Sequence, residues 1–246
     1  MSRPPVRSPD PEPRFRQIAD FLKREITQGT LPAHSALPSE RAVAQAHGVS
    51  RMTARRALEA MEAEGLAYNE QRKGRFVSPP RLKYDISKMI SFVADVQSGD
   101  LALEIELISK AETRACSQLA AALCVPVGEA LFEYTRLFRI KGHATFFETE
   151  YAIASRFPGL LAHDLCQSTT RLLERHYQAG ARTGEIVIRM RALRAEEARL
   201  LGLAPHHAVI ELEQVIRDAA GTPFCFDRQV WRGELAEFSA TAVLSR

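Results

Sequence analysis

Arg51, Thr53, Arg55 and Arg56 follow Ser50 within VSRMTARRAL, residues 49–58, and their chemistry is that of a surface that reads nucleic acid. A guanidinium is a planar fork that can donate two hydrogen bonds to guanine O6 and N7, or to a phosphate. At helical spacing Ala54, Ala57, Leu58 and Met61 share one side, while Met52, Arg55, Arg56 and Glu59 share the other. The competing reading is a solvated face on which Glu59 and Glu62 balance the arginines. Three further features weigh against it: a capped turn before the helix, Arg41 near the start of the preceding one, and the basic run Arg72-Lys73-Gly74-Arg75 ahead of Phe76-Val77. Arg51, Thr53 and Arg55 are the residues expected to meet base edges.

Such a face needs elements that hold it out. Ser39, after Leu37-Pro38, is a good N-cap for a helix ending near His47, because its side-chain oxygen can take an orphan amide of the first turn. Gly48-Val49-Ser50 then forms a short turn. Ser50 caps a second helix running to about Glu64, with Gly65 just beyond it, where a left-handed residue is needed. Phe15, Ile18, Ala19, Leu22 and Ile26 recur at helical spacing and give an earlier helix that packs beneath and stops near Gln28-Gly29. Two helices, a tight turn and a basic hairpin read as a winged helix-turn-helix, whose second helix enters the major groove.

Leu37-Pro38-Ser39-Glu40-Arg41, the stretch 49–58 and Glu64-Gly65-Leu66 resemble the N-terminal domain of the GntR transcriptional regulators. The resemblance implies DNA-binding positions at Arg41, Ser50, Arg51, Thr53, Arg55, Arg56, Arg72, Lys73, Gly74 and Arg75. The wing departs from the family pattern. Arg72 stands where a first glycine is usual and Arg75 where threonine is usual, so a bulkier and more cationic tip is expected.

Composition agrees with this reading. A chain of 246 residues, 46% of them hydrophobic, is long enough for two modest cores. The formal net charge is only +3, but residues 1–80 hold 13 Lys/Arg against 9 Asp/Glu, so the basic character sits with the DNA reader. Cys116, Cys124, Cys166 and Cys225 form no CxxC pair and lack companion histidines at zinc spacing, which favours reduced core thiols in a cytoplasmic protein. No apolar run approaches the roughly 18 residues a membrane span needs. No phosphate loop, GxSxG elbow or HExxH helix occurs, and no cofactor is expected. The expected organisation is a disordered proline-rich leader over residues 1–14, the reader over 15–78, a linker over 79–88 stiffened by Pro79-Pro80, and a second domain over 89–246.

That second domain reads as alternating strands: Glu129 to Ile140 and Ala144 to Ile153 around Lys141-Gly142-His143, then Thr183 to Leu193, Ala208 to Asp218, and Pro223 to Arg232. Short helices are expected at Arg114 to Leu123, Ser168 to Tyr177 and Ala195 to Leu201. The class is α+β with an antiparallel sheet. Leu119 to Leu123, Tyr134 to Leu137, Phe157 to Leu161, Glu196 to Leu203 and Gly221-Thr222-Pro223, in that order, resemble the UTRA effector domain of the HutC subfamily of GntR regulators, a chorismate-lyase-like fold.

One residue there stands out on physical grounds alone. Alternation puts Phe132, Tyr134, Arg136, Phe138 and Ile140 on one strand face, so Arg136 interrupts an apolar row, and a buried guanidinium needs a partner. Glu148 and Glu150 share a face with Phe146 and Ala152 on the other arm of the hairpin, which leaves two readings open: an internal Arg136 to Glu148 ion pair, or a ligand site. The resemblance implies effector-binding positions at Phe92, Arg136, Glu148 and Arg228. Departures shape the expected effector. Phe138 stands where sugar-phosphate regulators tend to carry a second arginine, Val93 where a serine or threonine is usual, and Cys225 where an acidic residue is common. Each removes a polar partner of a phosphate or sugar, so a smaller or more apolar organic acid is expected. The resulting reading is a homodimeric repressor of operator DNA, released by a small metabolite and active without a membrane. The rival is a chorismate-lyase-like enzyme fused to a DNA-binding module.

Overall fold

The computed structural model describes residues 12–70, 73–87 and 102–241. The chain divides into two compact units, Met1–Pro80 and Arg81–Arg246. The first holds α1 (Arg14–Thr27), α2 (Glu40–His47), α3 (Arg51–Ala63), and the wing strands β1 (Ala67–Glu70) and β2 (Gly74–Val77). Its core joins Ile18, Ala19 and Leu22 of α1, Val43 and Ala44 of α2, and Ala54, Ala57, Leu58 and Met61 of α3. The caps are as the sequence reads: Ser39 Oγ accepts from the Ala42 amide and Ser50 Oγ from the Thr53 amide, each at 3.2 Å. Gly48 and Gly65, at φ 60° and 71°, supply the left-handed residues behind α2 and α3. α1 begins at Arg14, behind Pro13, while residues 1–11 of the expected leader lie outside the described residues. β1 and β2 pair antiparallel, and the segment before α2 adds a third line of pairing through Ala36 and Phe76.

The second unit is built on a six-stranded sheet, in the order β4 (Leu103–Arg114), β5 (Ala130–Ile140), β6 (His143–Ile153), β9 (Pro223–Arg232), β8 (Ala208–Arg217), β7 (Thr183–Ala192), with every neighbouring pair antiparallel. β5 and β6 are joined by Lys141 and Gly142, both at positive φ, the geometry of a two-residue turn that follows the strand twist. α4 (Ser117–Leu123), α5 (Thr169–Tyr177) and α6 (Ala195–Leu201) complete the α+β layout. The helix expected from Arg114 starts only at Ser117, because residues up to Arg114 belong to β4, a strand the sequence reading lacks. A second difference falls in the expected linker. Leu82–Asp85 form β3, which pairs parallel with β10 (Ala236–Ser239), so chain inside residues 79–88 is already part of the second unit.

Each face of the sheet carries two apolar clusters. On the front face Phe132, Tyr134, Ala152, Ile216 and Cys225 pack with Leu160, Leu165, Leu172 and Leu173, while Phe138, Phe146, Leu212 and Trp231 pack with Tyr84 of β3 and Ala236 of β10. On the back face α4 covers Leu131, Ile153 and Phe226, and α6 covers Leu137, Phe147, Val209 and Val230.

Candidate nucleic-acid interface and effector site

The outer side of α3 is held in place by its buried side. Arg51, Met52, Arg55 and Arg56 are exposed, and Met52, at 62%, is a large apolar residue in water at the start of a helix. Arg55 Nε donates to Glu59 Oε1 at 2.7 Å, an exposed pair one turn along the helix that holds the fork loosely. Ser50 and Thr53 are tied to each other, their hydroxyl oxygens 3.0 Å apart, so both help to start the helix as well as lying at its reading end. Arg56 extends over the ring of Phe15 on α1, 5.3 Å from its centroid. Arg41 is exposed on α2.

The wing corrects one expectation. Arg75 is not a free cation at the tip: its Nε donates to Glu62 Oε1 at 2.5 Å and its Nη1 to Glu40 Oε1 at 3.1 Å, with the side chain only 19% exposed. It pins β2 to α3 and to the first turn of α2, because on a strand this short the side chain leaving the hairpin inward meets both helices. Lys73 is the exposed wing cation among the described residues, paired to Glu70 at 3.0 Å, and Gly74 takes φ 105°, which suits glycine alone. Arg72 lies outside the described residues. Sequence reasoning passed over Met52, although its place on the polar side of α3 was the signal: an apolar side chain there can meet a thymine methyl.

In the second unit Arg136 is 2% exposed and opposite Glu148 in the β5–β6 register. Its Nη2 donates to Glu148 Oε1 and, at 3.2 Å, to Glu150 Oε2; its Nη1 donates to the carbonyls of Leu165 at 2.8 Å and Gln167 at 2.5 Å. The rings of Tyr134 and Phe138 flank the guanidinium, each centroid 5.4 Å away. Glu150 accepts further from Cys225 Sγ at 2.8 Å and Thr169 Oγ1 at 2.6 Å, and the Thr169 and Tyr134 hydroxyls are 2.8 Å apart. The register carries this polar line across the sheet, Glu150 opposite Asp227 and Asp227 opposite Gln214, with Glu148 opposite Gln229 in the next row. A buried polar band thus runs between the two front clusters. Within it burial pushes Glu148 up to about 7, against the pull of Arg136 and with the help of Glu150. Burial, then the charges of Glu148 and Glu150, holds Asp227 well above the usual carboxylate range.

Arg228 does not join this band. Its neighbour Asp227 is on the front face, so Arg228 faces the back, where Nε and Nη2 donate to Glu213 Oε1 at 3.1 and 3.0 Å. Glu213, which also accepts from Arg189, is kept below its ordinary value by these hydrogen bonds even though burial works the other way. The expected grouping of Arg228 with Arg136 and Glu148 is therefore corrected by strand parity. Phe92 lies outside the described residues. Glu150, Asp227, Gln214 and Gln229 were not singled out as site residues from sequence. The expectation of four core thiols is also corrected: only Cys225 is buried, while Cys116 and Cys124 are exposed at the two ends of α4. Among the described residues no group of three or more His, Cys, Asp or Glu could hold a metal ion, and no helix is long and apolar enough to cross a membrane.

Residues 15–77 match the family of bacterial regulatory proteins of the gntR type, and residues 99–237 match the UTRA domain. The chain is 28% identical over 238 residues to the HTH-type transcriptional repressor NagR of Bacillus subtilis, covering 95% of this chain and 96% of that one. It is 31% identical over 217 residues to an HTH-type transcriptional regulator of Rhizobium meliloti, covering 87% and 88%. The crystal structure of PhnF from Mycobacterium smegmatis, 23% identical, shares the fold with a TM-score of 0.65 over 93% of this chain and all of that one. These matches do not support the reading as a chorismate-lyase-like enzyme. A capped helix-turn-helix with a wing, joined to an antiparallel UTRA sheet, places the chain in the GntR family of regulatory proteins, in its HutC subfamily, as a DNA-binding transcriptional regulator.

Proposed function

We propose that the chain is a homodimeric repressor in the cytoplasm whose operator affinity falls when a small molecule occupies the front face of the sheet. The observation that carries the DNA half is the first turn of α3, which presents Arg51, Met52 and Arg55 outward while its other side fills the core. In this reading Arg51 and Arg55 donate to base edges, Met52 meets a thymine methyl, Thr53 and Arg41 reach the backbone, and Lys73 with Arg72 meets phosphate. Arg56 steadies α3 on α1. The effector half is supported by the buried polar band around Arg136, and coupling follows if the effector favours a dimer arrangement in which the two readers no longer match two half-sites.

A dimer is supported by the edges of the sheet. β4 at one edge carries Glu104, Glu106, Lys110 and Glu112, charges that discourage pairing. β7 at the other, which among the described residues pairs only with β8, exposes Val187, Ile188 and Met190, the last at 74%. Enrichment of random duplex DNA on the full chain, read by sequencing, should return a two-fold symmetric site. On that site Arg55→Ala should weaken binding by about 1–3 kcal/mol at fixed salt, with the melting temperature unchanged. Unchanged affinity would remove Arg55 from the interface.

A further inference from the structure

The order of side chains along β7 says what lies against its outer edge. Gly184, Ile186, Ile188 and Met190 face the front with Leu212 and Ile210 of β8, while Glu185, Val187, Arg189 and Arg191 face the back with Glu213 and Glu211. Among the described residues β7 pairs only with β8, so its outward N–H and C=O groups form a template for another strand. Its charges differ in how far they are committed. Glu185 is 69% exposed, 3.6 Å from Arg217. Arg189, 47% exposed, is tied through Nη1 to Glu213 at 2.5 Å. Arg191 has Nε, Nη1 and Nη2 all donating, to Glu211, Glu197 and the Ala192 carbonyl.

A two-fold axis perpendicular to the sheet would run β7 antiparallel to β7 of a second copy and keep front with front. Opposite residues of an antiparallel pair share a face, so the axis must pass a residue that meets its own copy. The choice of that residue fixes every other pair. Centring on Glu185 or Arg189 sets like charges together. Centring on Ile186 puts Glu185 against the partner's Val187 and carries Met190 past the start of the partner strand. Centring on Ile188 puts Val187 against the partner's Arg189, and Glu185 against the partner's Arg191, whose donors are spent. Centring on Val187 has none of these faults. Val187 meets its own copy, Ile186 meets Ile188, Glu185 meets Arg189 twice, and Met190 meets Gly184, which has no side chain to obstruct it.

Resting on the homodimer proposed above, we propose that β7 pairs with β7 of a second copy about an axis at Val187, joining two six-stranded sheets into one. The occupant is this chain itself because the strand complements its own reverse, with an exposed acid two places before Val187 and an available guanidinium two places after it. An unrelated extended peptide would share the backbone hydrogen bonds but would give no reason for that symmetry. On the front, the isoleucines and methionines of both strands form one apolar strip, and on the back two ion pairs flank the axis.

Disulfide trapping reads this register. In a chain with Cys116, Cys124 and Cys166 changed to Ser, Val187→Cys should cross-link to its own copy under mild oxidation, because opposite Cβ atoms lie roughly 4.5–5.5 Å apart. Ile186→Cys and Ile188→Cys should each stay uncross-linked alone, offset by two residues from their own copies, and should yield a covalent heterodimer when co-expressed. Glu185→Arg, at an exposed position, should raise the dissociation constant of the dimer in sedimentation by about tenfold with the circular dichroism unchanged. A dimer that fails to trap at Val187, traps at Ile186 alone, or is indifferent to Glu185→Arg would overturn this register and leave the homodimer standing. A monomer in sedimentation would overturn both and leave the edge to a segment of this chain or to another protein.

Discussion

Arg136 sits between the rings of Tyr134 and Phe138 with four of its five N–H donors committed to groups of its own chain. Removing one partner of such a pair leaves the others buried and uncompensated, which costs far more than the pair itself contributes. Arg136→Met should therefore destabilise the chain by about 3–5 kcal/mol in thermal unfolding, and adding Glu148→Gln should restore part of the loss. An unchanged melting temperature would mean that the guanidinium is dispensable to the fold. The same band sets a pH dependence. Glu148 rises from an ordinary 4.5 to about 7 on folding, so the folded chain holds its proton more tightly than the unfolded chain. That contribution is complete below 4.5 and fades as the pH climbs through about 7. Carboxylates held low, such as Glu213, act in the opposite sense and only at lower pH. Between about pH 5 and 7.5 the melting temperature should fall as pH rises, and Glu148→Gln should reduce that slope; an identical slope would place the proton elsewhere.

The wing shows how an element reassigns its residues. Arg75 spans from β2 to Glu62 of α3 and Glu40 of α2, so Arg75→Ala should loosen the hairpin and cost about 1–3 kcal/mol of stability. Lys73→Ala should leave the melting temperature almost unchanged and lower the slope of log affinity against log salt by about one unit. Equal effects of the two changes on stability would contradict the division between brace and phosphate contact. The helices of the reader were legible in sequence because their signals are local: Ser39 and Ser50 cap within three residues, and Ala54, Ala57, Leu58 and Met61 mark the buried side at helical spacing. Glu40 and Glu62, distant in sequence from Arg75, carried no such signal. In the sheet, alternation along one hairpin brought Arg136 and Glu148 to notice together but left open whether they pair with each other or bind a ligand. Alternation could also have separated Arg228 from that pair: with Trp231 in the core, Gln229 and Asp227 must share its face and Arg228 must oppose it. β4 shows Leu103, Ile105 and Leu107 alternating with Glu104 and Glu106, but its charged second half, Lys110 to Arg114, dilutes the pattern. The four-residue strands β3 and β10 are too short to show a period, and each needs the other to form.

At the scale of the molecule, two readers must be joined for a symmetric site to be read, and the apolar edge of β7 is where the proposed joining occurs. Val187→Lys with Met190→Lys should convert the dimer to a monomer in sedimentation while the fold persists, and operator affinity should fall with it, because each half-site is then bound alone. A variant that stays dimeric would move the interface away from this edge. The parallel pairing of β3 with β10 bears on the same question. β3 begins at Leu82, five residues after the wing's last strand ends at Val77, and its Tyr84 packs on Trp231, whose indole donates to Gln229 beside the polar band. The reader's tether is thus anchored at Leu82 by residues from the far end of the chain. In a dimer, the effective concentration of the second reader at its half-site depends steeply on tether length, so this short ladder sets how strongly two weak contacts with DNA act as one. Whatever frees β3 from β10 would lengthen that tether and dilute the second reader without touching a single base contact.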